Sequence, residues 1–237
     1  MSATPVMYFI GSGALLHRVV SYSLTAGLAV DGICCPPGDP CIPRLRGRSV
    51  TVVESADPNE DAPRSIADSR DGIVFSVNNE HLIADALLGS GAAFFNIHSG
   101  LTQRYRGIAE VCVFAALCRG EERYGVTLHR LLPRQKVDSG PVVAQIEFDI
   151  APTDCFADVL RHSLEACQRI FEMNVGDIVR GSYRCAALEP ARRALTYKDV
   201  AVLCAEADAE RLERACELGP YAGLLSRLKT TIDTARA

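Results

Sequence analysis

Three polar side chains are of the types that acyl-group chemistry needs. Asn96 and His98 close the run Ala92-Ala93-Phe94-Phe95-Asn96-Ile97-His98. On a strand, residues two apart point the same way, so these two would share a face while Ile97 enters the core. An amide donor beside an imidazole can polarise a carbonyl and move protons. A satisfied histidine at a strand end is the plainer alternative. Asp138 lies between two strand-like segments, just before Ser139-Gly140-Pro141. Its carboxylate could take a proton, or it could serve a turn. His129, in Thr127-Leu128-His129-Arg130, fits either a site wall or a sheet surface.

Other features carry weaker signals. Gly11-Ser12-Gly13 follows an apolar run and opens a helical pattern, the context of a nucleotide loop. Position 16 is Leu, however, and the acidic residue after the second strand is Asp39, inside a proline cluster. A tight turn, or a phosphate or carboxylate held at the helix start, fits as well. Arg104, Arg106, Arg119, Arg123, Arg130 and Arg134 form a basic stretch that could attract an anionic tail or a phosphate, or could be a solvated face balanced by Glu121 and Glu122. His17, His81, His129 and His162 have no metal-ligand spacing, and no C-x-x-C occurs, so no metal is expected.

The elements that must position these residues follow from periodicity. Short apolar runs over 6–10, 30–34, 48–53, 72–77 and 92–98 read as buried strands, with 124–131 and 142–150 as later ones. Helical spacing covers 14–26, 79–88, 108–118 and 154–176, and a short helix fits the polar stretch 57–71. Strand and helix alternate through the first half, which argues an α/β class: a Rossmann-like, mostly parallel sheet with helices on both faces. The last two strands have no helix between them, so one is free to run antiparallel. Composition shifts near Pro190, and 203–215 and 221–232 look helical, forming a small C-terminal extension.

With 237 residues, the chain has room for one full domain at about 150 residues per domain, with a small appendage. A net charge of −4 argues against a nucleic-acid partner bound by bulk positive charge. No window approaches the ~18–20 apolar residues of a membrane span. The start has neither a basic region nor a signal-length apolar stretch, so a cytoplasmic location is expected. The 10 cysteines are scattered, mostly on apolar faces, and read as buried thiols of a reducing compartment.

Together, Phe95-Asn96-Ile97-His98-Ser99-Gly100-Leu101, Arg104-Tyr105-Arg106-Gly107, Gly125-Val126-Thr127-Leu128-His129-Arg130 and the segment Val137 to Gln145 resemble the folate-dependent formyltransferase family. The resemblance is strong over 72–150 and weak over the first strands. It implies a catalytic trio at Asn96, His98 and Asp138. It implies 10-formyltetrahydrofolate as donor, its pterin walled by Asn78, Asn79, Glu80, His81 and Leu82 and by Lys136 and Val137, largely through backbone. An amine would attack the formyl carbon, Asn96 and His98 would stabilise the oxyanion, and Asp138 would take the proton.

Departures from the family pattern bear on the acceptor. His98-Ser99-Gly100-Leu101-Thr102-Gln103 lacks the usual proline, which is expected to loosen the acceptor-side loop. The chain beyond Pro190 is too short for the β-domain of tRNA-acting relatives, and the first turn lacks the Asn of the glycinamide ribonucleotide enzymes. The resemblance therefore implies a formyltransferase catalytic domain over 1–190 and a helical extension over 191–237. The expected acceptor is a primary or hydroxylated amine in specialised metabolism: an amino acid, hydroxyornithine or amino sugar, free or carrier-bound. The alternatives are a formyltetrahydrofolate hydrolase and a non-catalytic folate- or nucleotide-binding module. The C-terminal helices are left with three jobs: packing on the sheet, forming a homodimer, or docking a carrier protein.

Overall fold

The apolar runs pair into a seven-stranded sheet in the computed structural model, which describes residues 5–46, 48, 50–66, 72–189 and 192–236. The strands are β1 (Met7–Gly11), β2 (Val30–Cys35), β3 (Thr51–Glu54), β4 (Ile73–Val77), β5 (Ala93–His98), β6 (Arg123–Leu131) and β7 (Val142–Asp149). Their order is β3-β2-β1-β4-β5-β6-β7. The first five are parallel, and β6 pairs antiparallel with both β5 and β7. Chain order reverses direction across the sheet between β1 and β4. In open α/β sheets a ligand crevice forms at the carboxyl ends of the strands at such a point.

The helices are α1 (Gly13–Thr25), α2 (Ile42–Leu45), α3 (Pro58–Ile66), α4 (Asp85–Leu88), α5 (Ala109–Cys118), α6 (Phe156–Arg180), α7 (Val200–Glu206), α8 (Ala209–Cys216) and α9 (Ser226–Arg236). Both faces of the sheet are covered, as expected. On one face α1 and the apolar stripe of α6 bury Phe9, Phe75, Phe95 and Ile97. Phe171 of α6 meets Phe75 edge-on at 5.0 Å, and Phe75 stacks on Phe95 at 5.4 Å. On the other face α3 and α4 cover Tyr8, Ile10, Val74 and Phe94. A further core surrounds α5, whose residues from Val111 to Cys118 are all buried. Leu203, Cys204, Ala215, Leu218, Leu228 and Ile232 pack into that core.

Several expectations are corrected. The segment 79–88 is helical only over Asp85–Leu88. Its first half is a loop clamped by Asn59, which donates to the Leu82 carbonyl at 3.0 Å and accepts from the Ala84 N–H at 2.7 Å. The helix expected over 203–215 is interrupted, because Asp208 caps a new start by accepting from the Arg211 N–H. The last helix begins at Ser226, after a 3₁₀ turn at Gly219–Tyr221. The strand expected from 48 begins at Thr51. Residues 67–71 of the expected short helix region, and the expected domain boundary at 190–191, lie outside the described residues. Among the described residues no helix is long and apolar enough to cross a membrane.

Candidate active site

Asn96 and His98 lie on the face of β5 opposite Phe95 and Ile97, as the two-residue period requires. Antiparallel pairing sets His129 of β6 across from Asn96 and Thr127 across from His98. Asp138 reaches the same place from the loop between β6 and β7. Its backbone is left-handed at φ 49°, a region that Asp tolerates better than most residues. Arg106, 6% exposed, fixes that loop by donating to the Val137 carbonyl at 3.0 Å.

The Asp138 carboxylate is the hub. Its Oδ2 accepts from the Gly107 N–H at 2.9 Å and faces His98 Nδ1 at 3.6 Å. Its Oδ1 accepts from the Asn96 amide at 3.4 Å and lies 3.5 Å from His129 Nε2. Burial opposes its ionisation, but positive charge taken up on His98 or His129, with the Gly107 N–H, outweighs burial and holds the carboxyl well below the usual range; beside a neutral His98 its donors are the Gly107 and Asn96 N–H groups. His98 is buried as well. Burial pushes its pKa down, and the adjacent Asp138 charge only partly opposes that. The pair is therefore an ionised carboxylate beside a neutral imidazole at pH 7.

The tautomer of His98 follows from its other contact. Nε2 lies 3.0 Å from the Tyr105 carbonyl, an acceptor, so the ring proton belongs on Nε2. Nδ1 then presents a lone pair toward Asp138. Two glycines permit this geometry. A Cβ on Gly100 would stand 2.7 Å from His98 Nε2 and 2.6 Å from the Tyr105 carbonyl oxygen, wedging apart that bond. Gly107, at φ 101°, lets its backbone pass within 2.2 Å, from a would-be Cβ, of the Leu195 carbonyl oxygen.

The loop after His98 is not loosened by its missing proline. Tyr124 donates to the Ser99 carbonyl at 2.8 Å, and Thr127 to that of Gly100 at 2.7 Å. The Thr102 N–H returns a bond to Thr127 at 3.2 Å, and Leu101 and Thr102 are buried. Hydrogen bonds to β6 do the work a proline ring would have done.

The other expected contact residues lie on two loops, 78–82 after β4 and 136–137 just before Asp138. Asn78 turns to Ser12: its amide donates to the Ser12 hydroxyl at 3.1 Å, and that hydroxyl donates to the Asn78 carbonyl at 2.8 Å. Asn79 folds onto its own loop, accepting from the His81 N–H at 3.1 Å. His81 faces Asp57 at 3.9 Å, while Glu80 and Lys136 are exposed and Val137 half-buried. Leu82 is 71% exposed, an apolar side chain held out from its loop.

The glycine turn also has a definite answer. Asp39 is buried, and its Oδ2 accepts from the Gly13 N–H at 2.8 Å while its Oδ1 accepts from the Cys41 N–H at 2.8 Å. The start of α1 is thus occupied by the chain's own carboxylate. Sequence reasoning left His129 open and missed Gly107 and Tyr105. The opposition of His129 to Asn96 is a register fact, visible only once β6 is paired. The basic stretch disperses: Arg123 pairs with Glu147 and Asp149, Arg130 donates to Tyr183, and Arg104 pairs with Glu121.

Comparison with known proteins agrees with this fold. Residues 58–173 match the family model described as formyl transferase. A 4-N formyltransferase from Francisella tularensis is similar in structure, with a TM-score of 0.76 and 15% identity, 93% of this chain and 91% of that one being covered. An N-formyltransferase from Helicobacter canadensis, solved with folinic acid and dTDP-3-aminofucose, gives a TM-score of 0.67 and 15% identity over 81% of this chain and 71% of its own. Glycinamide ribonucleotide transformylase 1 from Symbiobacterium toebii gives 0.68 and 19% identity over 78% and 95%. Residues 58–173 thus carry a formyl transferase domain, and the protein is a formyltransferase enzyme.

Proposed function

We propose that the protein moves the formyl group of 10-formyltetrahydrofolate to a primary or hydroxylated amine. The observation that carries this is the meeting of Asn96, His98 and Asp138 around one buried carboxylate at the carboxyl end of β5. The donor class is supported by the Helicobacter canadensis protein's folinic acid, a formylated folate. For a flat ring the loop over 78–82 offers the exposed Leu82 and those backbone groups not taken by Ser12, Asn59 and Asn79, and Lys136 and Val137 would add the loop before Asp138.

The residues then divide the work. The Asn96 amide, whose bond to Asp138 is long, turns an N–H to the oxygen that gains charge as the amine attacks. His98 holds its Nδ1 lone pair toward Asp138, so an amine proton is received by this pair, directly or through water, with the carboxylate stabilising the imidazolium. The new carbon–nitrogen bond forms as the bond to the folate nitrogen breaks. The proton lost by the amine ends on that nitrogen, so the reaction is balanced without a metal or redox partner.

The acceptor is an amine of specialised metabolism in the cytoplasm: an amino sugar, amino acid or hydroxyornithine, free or on a carrier protein. Structural likeness to sugar N-formyltransferases, one of them solved with dTDP-3-aminofucose, supports the first of these. Residues 1–190 act as the catalytic domain and 191–237 as a helical extension. The test is a panel of such amines incubated with 10-formyltetrahydrofolate and read by mass spectrometry. Formylated product that disappears in Asp138→Asn is expected. Tetrahydrofolate released equally with and without every amine would instead make water the acceptor and overturn the transfer reading.

A further inference from the structure

One cavity lies away from the catalytic carboxylate. It has a volume of about 340 Å³ and lies between the turn at Arg104, the end of α5 at Arg119, the strap Arg192–Leu195 and α7. That volume is within the range of small-molecule pockets. Its walls carry four guanidinium groups, Arg104, Arg119, Arg192 and Arg193, against the carboxylates of Asp199 and Glu206. Leu195, Val202 and Leu203 give it an apolar side.

Two of the arginines are already neutralised: Arg104 pairs with Glu121, and Arg193 with Asp199. Among the described residues the other two make no ion pair. Arg119 lies over the Tyr105 ring at 5.6 Å, and its Nη1 is buried without a hydrogen-bond partner. A buried guanidinium N–H with no acceptor is costly, and a ligand oxygen would relieve that cost. Arg192 is exposed at the mouth. Two unpaired guanidiniums lining one cavity match a dianion with several oxygens, because the guanidinium fork pairs with phosphate oxygens two at a time.

We propose that this cavity is a phosphate-binding site separate from the formyl-transfer centre, taking a small phosphate- or pyrophosphate-bearing molecule. The loop 104–107 is the partition. On one side its Gly107 N–H bonds Asp138, and on the other Gly107 pairs with Leu195 of the cavity wall. The site also touches the catalytic histidine indirectly, because Arg119 covers the ring of Tyr105 and the Tyr105 carbonyl bonds His98.

The test is titration calorimetry of the full chain with pyrophosphate at low salt. One-to-one binding is expected, weakened at least tenfold in Arg192→Gln and in Arg119→Gln. Arg192 is exposed, so its variant keeps the fold even if the Arg119 variant does not. Affinity is expected to be unchanged by saturating 5-formyltetrahydrofolate and by Asp138→Asn, which separates this site from the formyl-transfer reading. Inorganic phosphate and adenosine monophosphate serve as parallel probes; tighter binding of the latter assigns an organic phosphate ester, and equal binding the free anion. No saturable binding, equal binding in Arg192→Gln, or displacement by the folate would overturn the proposal.

Discussion

Asn96 and His129 face each other across the β5–β6 pairing, with the amide nitrogen 3.2 Å from His129 Nε2. His129 Nδ1 lies 3.1 Å from the Arg130 carbonyl, so its proton sits there and Nε2 accepts. One amide N–H of Asn96 is thereby committed, and the other is aimed toward Asp138. His129 is a positioning residue. His129→Leu, which keeps the volume but removes the acceptor, is expected to lower kcat by about 10²-fold, the cost of a misplacement of about 1 Å. KM for the folate is expected to change little. A KM effect with normal kcat would contradict this role.

Asp138→Asn is expected to lower kcat by roughly 10²–10⁴-fold, the usual range for a proton-transfer group. The Gly107 N–H keeps an acceptor in the new amide oxygen, so the fold is expected to survive. Near-UV circular dichroism and 5-formyltetrahydrofolate binding should match the parent. Undiminished formyl transfer would remove Asp138 from the mechanism.

The pH dependence has a definite sign. Burial holds the His98 pKa below its ordinary 6.5, and a neutral Nδ1 is the working form. As pH falls through that depressed pKa, kcat/KM is expected to fall, with a midpoint under 6.5. Stability moves the same way. The unfolded chain takes up a proton near 6.5 and the folded chain resists it, so His98's contribution is full above that pH and is lost below it. Asp138 acts in a lower window: its stabilisation is present above 3.8 and is lost as pH falls through its depressed folded pKa. A kcat/KM profile whose acid limb lies above the ordinary histidine value would refute the assignment.

Gly100→Ala tests the support of His98. The added methyl would meet both His98 Nε2 and the Tyr105 carbonyl, so one of them must move. Turnover is expected to fall by at least tenfold, an added barrier of about 1.4 kcal/mol. Serine at the neighbouring Ser99, replaced by alanine, is expected to leave turnover near normal, since only its backbone carbonyl is bonded by Tyr124. Steady-state kinetics on both variants decide the matter.

Asp39→Ala strips the start of α1 of its internal anion. A part-buried N–H of Gly13 and a buried N–H of Cys41 lose their acceptor. The expected loss is about 1–3 kcal/mol of unfolding free energy, read by urea titration. A loss below about 0.5 kcal/mol, the scale of an ordinary surface change, would mean that water replaces the carboxylate without cost.

The reach of the sequence is clear from particular residues. The strands of the parallel half were legible because their faces are both buried and their apolar runs unbroken, as in Ile73–Val77. Asn96 and His98 were legible as a pair because strand period is a local property. Asp138 was legible from the family pattern but not as the hub, since its partners come from three segments far apart in the chain. The segment 79–84 misled because its apolar spacing is helical while Asn59, 23 and 25 residues from the groups it bonds, supplies the bonds that keep it a loop. Asp39 could not be assigned from spacing: whether it holds a ligand or a helix depends on where the proline-rich turn folds.

The burial of α5 has a consequence for how the protein is made. Its side chains from Val111 to Cys118 are all hidden, yet part of what hides them, α7, α8 and α9, is translated much later. Until those helices leave the ribosome, a finished sheet would carry an α5 whose outer face is uncovered and, Glu110 apart, apolar. The nascent chain is thus adhesive through the second half of its synthesis, and its release from a chaperone should coincide with the emergence of α9 rather than with completion of the site.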